Sequence, residues 1–128
     1  MVGNKNARPV NLYLPGIRLP VGGVVSILHR VTGLLLVLSL PLALYALDQS
    51  LTGPEGFARV IQACQTPPAR GALFLLVWAI SHHLLAGVRH LLLDIDIGIA
   101  RDASRRGAWL VLAGVAAVLV VAGWGLFG

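Results

Sequence analysis

Two short polar interruptions in an otherwise apolar sequence hold the residue types that could do chemistry: Ser26-Ile27-Leu28-His29-Arg30 and His82-His83-Leu84-Leu85-Ala86-Gly87-Val88-Arg89-His90. Polar and ionisable side chains are expensive inside a bilayer, so each is a functional candidate. His83, Gly87 and His90 fall at i, i+4 and i+7, which on a helix gives one shared face with a side-chain-free notch between two imidazoles. Such a notch lets a flat macrocycle approach the backbone, and a neutral imidazole can supply an axial nitrogen to haem iron. His83 is the candidate ligand. His82 is its competitor, turned about 100° round the helix by the 3.6-residue period, so the two cannot address one metal from the same face. The structural alternative is that these histidines only hydrogen-bond between helices. His90 lies ~10 Å further along at ~1.5 Å per residue, beside Arg89 and Asp94, and suits a propionate or headgroup contact better than iron.

The first interruption offers a complementary surface. Gly22, Ser26, His29, Arg30 and Gly33 follow spacings of three and four, making a small-residue stripe with one hydroxyl, one imidazole and one guanidinium. Snorkelling of Arg30 to the headgroups is a weak explanation, because a span beginning near Val21 puts it ~13 Å inside at ~1.5 Å per residue. Ser26 and Arg30 could hydrogen-bond a quinone carbonyl, while Arg30 and His29 could also neutralise haem propionates. The spacing permits both. No pair of carboxylates, Ser/His/Asp set or glycine-rich phosphate loop supports an independent hydrolytic or nucleotide-dependent activity.

The elements that must position these residues are membrane helices. The 128 residues are 57% hydrophobic and 12% charged, with a mean hydropathy of +0.83, values of a membrane protein and not of a soluble domain. Three apolar stretches, about residues 21–47, 71–94 and 107–127, are each long enough for a span, since ~20 helical residues cover ~30 Å of hydrocarbon. The expected fold is all-α: a single membrane-anchor domain over residues 1–128, with three transmembrane helices in an up-down bundle. A polar first segment is unlike a cleaved signal peptide, so the first helix is expected to remain as an anchor in a bacterial inner membrane. Of the ten Lys and Arg, only Arg59 and Arg70 belong to the first connection, while Lys5, Arg8, Arg18, Arg30, Arg89, Arg101, Arg105 and Arg106 lie on the other side. The positive-inside rule then makes the N-terminus cytoplasmic and the C-terminus periplasmic. The net charge of +5 needs no nucleic acid to explain it. Cys64 is the only cysteine and forms no intrachain disulfide. Gly and Pro punctuate the loop after the first helix, a short amphipathic helix over Glu55–Ala63 is expected within it, and Pro67-Pro68 opens the second helix.

Taken together, Arg8-Pro9-Val10-Asn11-Leu12, Ser26-Ile27-Leu28-His29-Arg30-Val31-Thr32-Gly33 and His83-Leu84-Leu85-Ala86-Gly87-Val88-Arg89-His90-Leu91-Leu92-Leu93-Asp94 resemble the cytochrome b anchor subunit of succinate dehydrogenase in order, spacing and length. The loop Ser50–Phe57 also looks like that family's periplasmic loop. The resemblance runs from about Arg8 to Asp94. It implies a complex II anchor in which His83 is one axial ligand of haem b, and a second small three-helix anchor subunit supplies the other axial histidine. Ser26 and Arg30 would border ubiquinone, and His29 and Arg30, with His90, the haem propionates. The flavoprotein and iron–sulfur subunits would sit on the cytoplasmic membrane face, with lipid around the helices and the chain not catalytic in isolation. An anchor of a quinol:fumarate reductase, or a haem-free structural three-helix subunit, are the alternatives. Leu93 stands where the family usually has an aromatic residue or methionine, and Asp96 where a small residue is common.

Overall fold

The computed structural model describes residues 19–128. The Arg8–Leu12 motif and the cations Lys5, Arg8 and Arg18 lie outside the described residues. Four helices follow one another: α1 (Val21–Leu51), α2 (Pro54–Cys64), α3 (Pro67–Asp94) and α4 (Arg101–Phe127). There is no strand among the described residues.

Helices α1, α3 and α4 are long and apolar enough to cross a membrane. Their 31, 28 and 27 residues give lengths of ~40 to ~46 Å at ~1.5 Å per residue, more than the ~30 Å of hydrocarbon. All three therefore run past their most apolar stretches. α1 continues to Leu51, α3 begins at Pro67 and α4 at Arg101. The starts of α2 and α3 have the same cause: Pro54 and Pro67-Pro68 occupy first-turn positions, where a missing amide loses no intrahelical bond. Gly53, at φ +130, makes the turn that lets α2 fold back against α1 and α3.

The contacts fix the directions of the spanning helices. Gly22 of α1 faces Arg89 of α3, and Gly33 faces His83, so α1 and α3 are antiparallel. Likewise Leu85 of α3 meets Gly114 of α4 and Phe74 meets Gly123, so α3 and α4 are antiparallel as well. α3 packs against both neighbours. The reversal between α3 and α4 is tight: Asp96 at φ +62 and Gly98 at φ +80 both sit in the left-handed region, and the amide of Ile97 donates to the Leu92 carbonyl at 2.9 Å. A left-handed position favours glycine, and aspartate is among the side chains that tolerate it.

The burial pattern is inverted relative to a soluble bundle. The core is small: Val25, Ala86, Ala108, Val111 and Val115. Large apolar side chains lie outside, among them Leu42 at 70%, Val120 at 73% and Trp124 at 82% exposure. Among the described residues, the buried polar side chains are Thr32, Ser81, His82 and Arg89. Outward leucine and inward hydrogen-bonding groups are what hydrocarbon solvent demands, because small and polar residues associate helices where apolar contact alone gives no preference over lipid. An apolar cleft of about 630 Å³ opens between α1, α2 and α3, lined by residues such as Leu42, Ala46, Ala72 and the half-buried free thiol Cys64.

Candidate functional site

Three of the four histidines form one cluster between α1 and α3. The His29 and His83 rings stack at 4.2 Å between centroids with 11° between their planes. The His90 ring lies 5.1 Å from that of His29, tilted by 57°. All three are half-buried, so the cluster opens to the surface of the chain. Among the described residues no set of three or more His, Cys, Asp or Glu side chains converges to hold a bare metal ion. A ring that offers a single nitrogen fits iron already held by a macrocycle better.

The sequence reading of Gly87 as an open notch takes a different form here. A Cβ on Gly87 would lie 3.3 Å from His29 Nε2, so the space left by its missing side chain is where the His29 ring of α1 reaches α3. Gly33 plays the reciprocal part: its Cβ would come 3.0 Å from His83 Cε1. Each helix thus gives up a side chain opposite the other's imidazole, which is how two rings come to stack between close-packed helices.

Hydrogen bonds distinguish His83 from His82. His83 Nδ1 lies 3.1 Å from the His29 carbonyl oxygen. A carbonyl can only accept, so Nδ1 carries the proton and donates, leaving the Nε2 lone pair available. Histidines that bind metal commonly donate their second nitrogen to a carbonyl in this way, which fixes tautomer and ring orientation. His82 is committed inward instead. It is completely buried, its Nε2 donates to the Val25 carbonyl at 3.3 Å, and its Nδ1 has no partner among the described residues. Trp78 lies 6.1 Å from it, ring to ring.

Ser26 and Arg30 lie one turn apart on α1, next to His29, with Ser26 half-buried and Arg30 exposed. Residues four apart on a helix have Cβ atoms about 6 Å from each other, so the hydroxyl and guanidinium border one patch.

Arg89 is the residue that sequence reasoning missed. In the sequence it is one more cation near a helix end; in the fold it is 9% exposed, between three helices. Its Nη2 donates to the Ser104 carbonyl at 3.2 Å and hydroxyl at 3.0 Å. Gly22 of α1 and Gly107 of α4 flank the guanidinium, where Cβ atoms would lie 3.3 Å from Nη2 and 3.6 Å from Nε. The available signal was the pair of glycines: only a glycine-lined seat admits an arginine head between packed helices.

With this geometry in hand, residues 4–122 match the family described as succinate dehydrogenase/fumarate reductase transmembrane subunit. The chain belongs to that family. Among its relatives, the succinate dehydrogenase cytochrome b556 subunit of Paracoccus denitrificans is 32% identical over 123 residues, covering 92% of this chain and 91% of the relative. The protein of the same name from Coxiella burnetii is 33% identical over 120 residues, covering 91% and 94%. Three apolar helices in a transmembrane family with bacterial relatives make this succinate dehydrogenase/fumarate reductase subunit a multi-pass protein of the bacterial inner membrane. It is a subunit of that enzyme.

Proposed function

We propose that the chain is the haem b-binding membrane anchor of a succinate:ubiquinone oxidoreductase, with its N-terminus cytoplasmic and its C-terminus periplasmic. The observation that carries this reading is the His83 imidazole, whose Nδ1–H is held by the His29 carbonyl at 3.1 Å. That bond leaves the Nε2 lone pair free, and a neutral imidazole nitrogen is what would hold a haem iron. The cytochrome b556 name of the two relatives agrees with a b-type haem. Following the family resemblance, we assign a second histidine for the same haem to a second three-helix anchor subunit.

When bound, the haem supplies a one-electron redox centre within the membrane. The residues of this chain have separate tasks around it. His83 would hold the iron, and His29, Arg30 and His90 would provide hydrogen-bond donors for the propionates, with Arg30 supplying positive charge. Ser26 and Arg30 bind ubiquinone: the hydroxyl positions a carbonyl oxygen, and the guanidinium stabilises negative charge as it develops there. Succinate is oxidised on the flavoprotein, electrons pass through the iron–sulfur protein, and quinone is reduced at the cytoplasmic side of the bundle. The proton donor to the quinone resides on a partner chain. The described residues form one domain whose outward apolar faces meet lipid and the second anchor subunit.

The family description covers fumarate reductases as well, so a second reading is an anchor working in the quinol:fumarate direction. Purification through a tag on this chain tests both. The expected result is a complex that retains flavin and iron–sulfur subunits and reduces ubiquinone with succinate faster than it reduces fumarate with a low-potential quinol. The reverse preference would replace the first reading by the second, and a tagged chain recovered without the other subunits would overturn the anchoring role.

A further inference from the structure

We infer that Thr32 is a positioning residue for His83, its buried hydroxyl acting with the His29 carbonyl as a two-point acceptor for the imidazole Nδ1–H. The inference rests on the reading that His83 holds haem iron.

Thr32 is completely buried at the α1–α3 contact. Its Oγ1 lies 2.8 Å from the Leu28 carbonyl and 3.0 Å from the His29 carbonyl, so its single proton goes back to its own helix. Threonines inside helices often satisfy themselves in this manner, and that alone would account for a hydroxyl in hydrocarbon. It does not account for the third neighbour. His83 Nδ1, from the facing helix, lies 3.5 Å from the same oxygen. With its proton donated elsewhere, Oγ1 can only accept from Nδ1, which is itself a donor because of the His29 carbonyl at 3.1 Å.

The other constraints on the ring leave it little freedom. The His29 imidazole covers one face at 4.2 Å. Gly33, the residue after Thr32, lies so near that a Cβ would stand 3.0 Å from Cε1 and 3.4 Å from Nδ1. Three contributions within five residues of α1, the His29 carbonyl, the Thr32 hydroxyl and the bare Cα of Gly33, therefore bound the edge of His83 that carries Nδ1. Two acceptors on Nδ1–H increase electron donation from the opposite nitrogen and hold the ring plane, and such outer partners tune a bound metal.

The test uses the complete complex, purified through a tag on this chain, with Thr32→Val, Thr32→Ala and Thr32→Ser variants. The readouts are the reduced-minus-oxidised b band per complex, the highest-g line of the low-spin ferric haem and the haem midpoint potential. Valine and alanine variants, which lack the oxygen at different volumes, are expected to keep the haem, shift or broaden the g line and move the midpoint to more positive values. Serine is expected to restore the wild-type line and potential. An unchanged g line and midpoint in the valine and alanine variants, or a serine variant that behaves like valine, would overturn the inference. A parallel His83→Leu variant separates the two levels. If it loses the b band while the Thr32 variants look wild type, only the role of Thr32 has failed; if it keeps the band, the assignment of His83 itself has failed.

Discussion

Arg30→Leu will cut succinate-driven reduction of ubiquinone by roughly 10- to 100-fold, the factor corresponding to a lost charge-assisted hydrogen bond of about 1.5–3 kcal/mol. Oxidation of succinate by a soluble artificial acceptor will stay near the wild-type rate, because that electron path ends before the membrane. The residue is suited to such a selective effect. Arg30 is exposed on the lateral surface of α1, one turn from half-buried Ser26, so its removal leaves the core of the chain intact. Ser26→Ala is expected to act in the same direction but less strongly, since it removes a neutral hydrogen bond. Both activities falling together in Arg30→Leu would mean that the residue serves assembly and not the quinone.

His82→Ala will do the opposite, lowering the stability of the complex while leaving the haem spectrum of the assembled fraction unchanged. Its ring is completely buried and ties α3 to the Val25 carbonyl of α1 at 3.3 Å. Truncation opens a cavity between the two helices and removes that bond, an expected loss of about 2–4 kcal/mol by comparison with other large-to-alanine core changes. Thermal denaturation of the purified complex, followed alongside the b band, measures both effects. A His82→Ala complex of normal stability without haem would exchange the roles of the two neighbouring histidines.

How much of this was legible in the sequence depends on whether the information lies within one helix or between two. Spans announce themselves, because ~20 apolar residues have few other uses, and the short helix that begins at Pro54 was marked by its turn residues and amphipathic pattern. The 100° between His82 and His83 follows from helix geometry, and in the fold they do point to different environments, one sealed and one open. What periodicity does not contain is which residue of another helix meets a given face. The gap at Gly87 was visible, but not that His29 would reach into it. Arg89 illustrates the same point more sharply. Its position near a helix end reads as interfacial, and only the packing of Gly22 and Gly107 on either side turns it into an interior clamp. Thr32 gave no signal at all, since a hydroxyl in a transmembrane helix can always bond to its own backbone.

The most direct test of the central claim is the reduced-minus-oxidised absorption spectrum of the detergent-purified complex carrying wild-type or His83→Leu chain, with a gel to verify that the partner subunits remain. The expected result is that the b-type signal is lost or strongly perturbed in the variant while the subunits stay together. An unchanged signal in a fully assembled His83→Leu complex would contradict it.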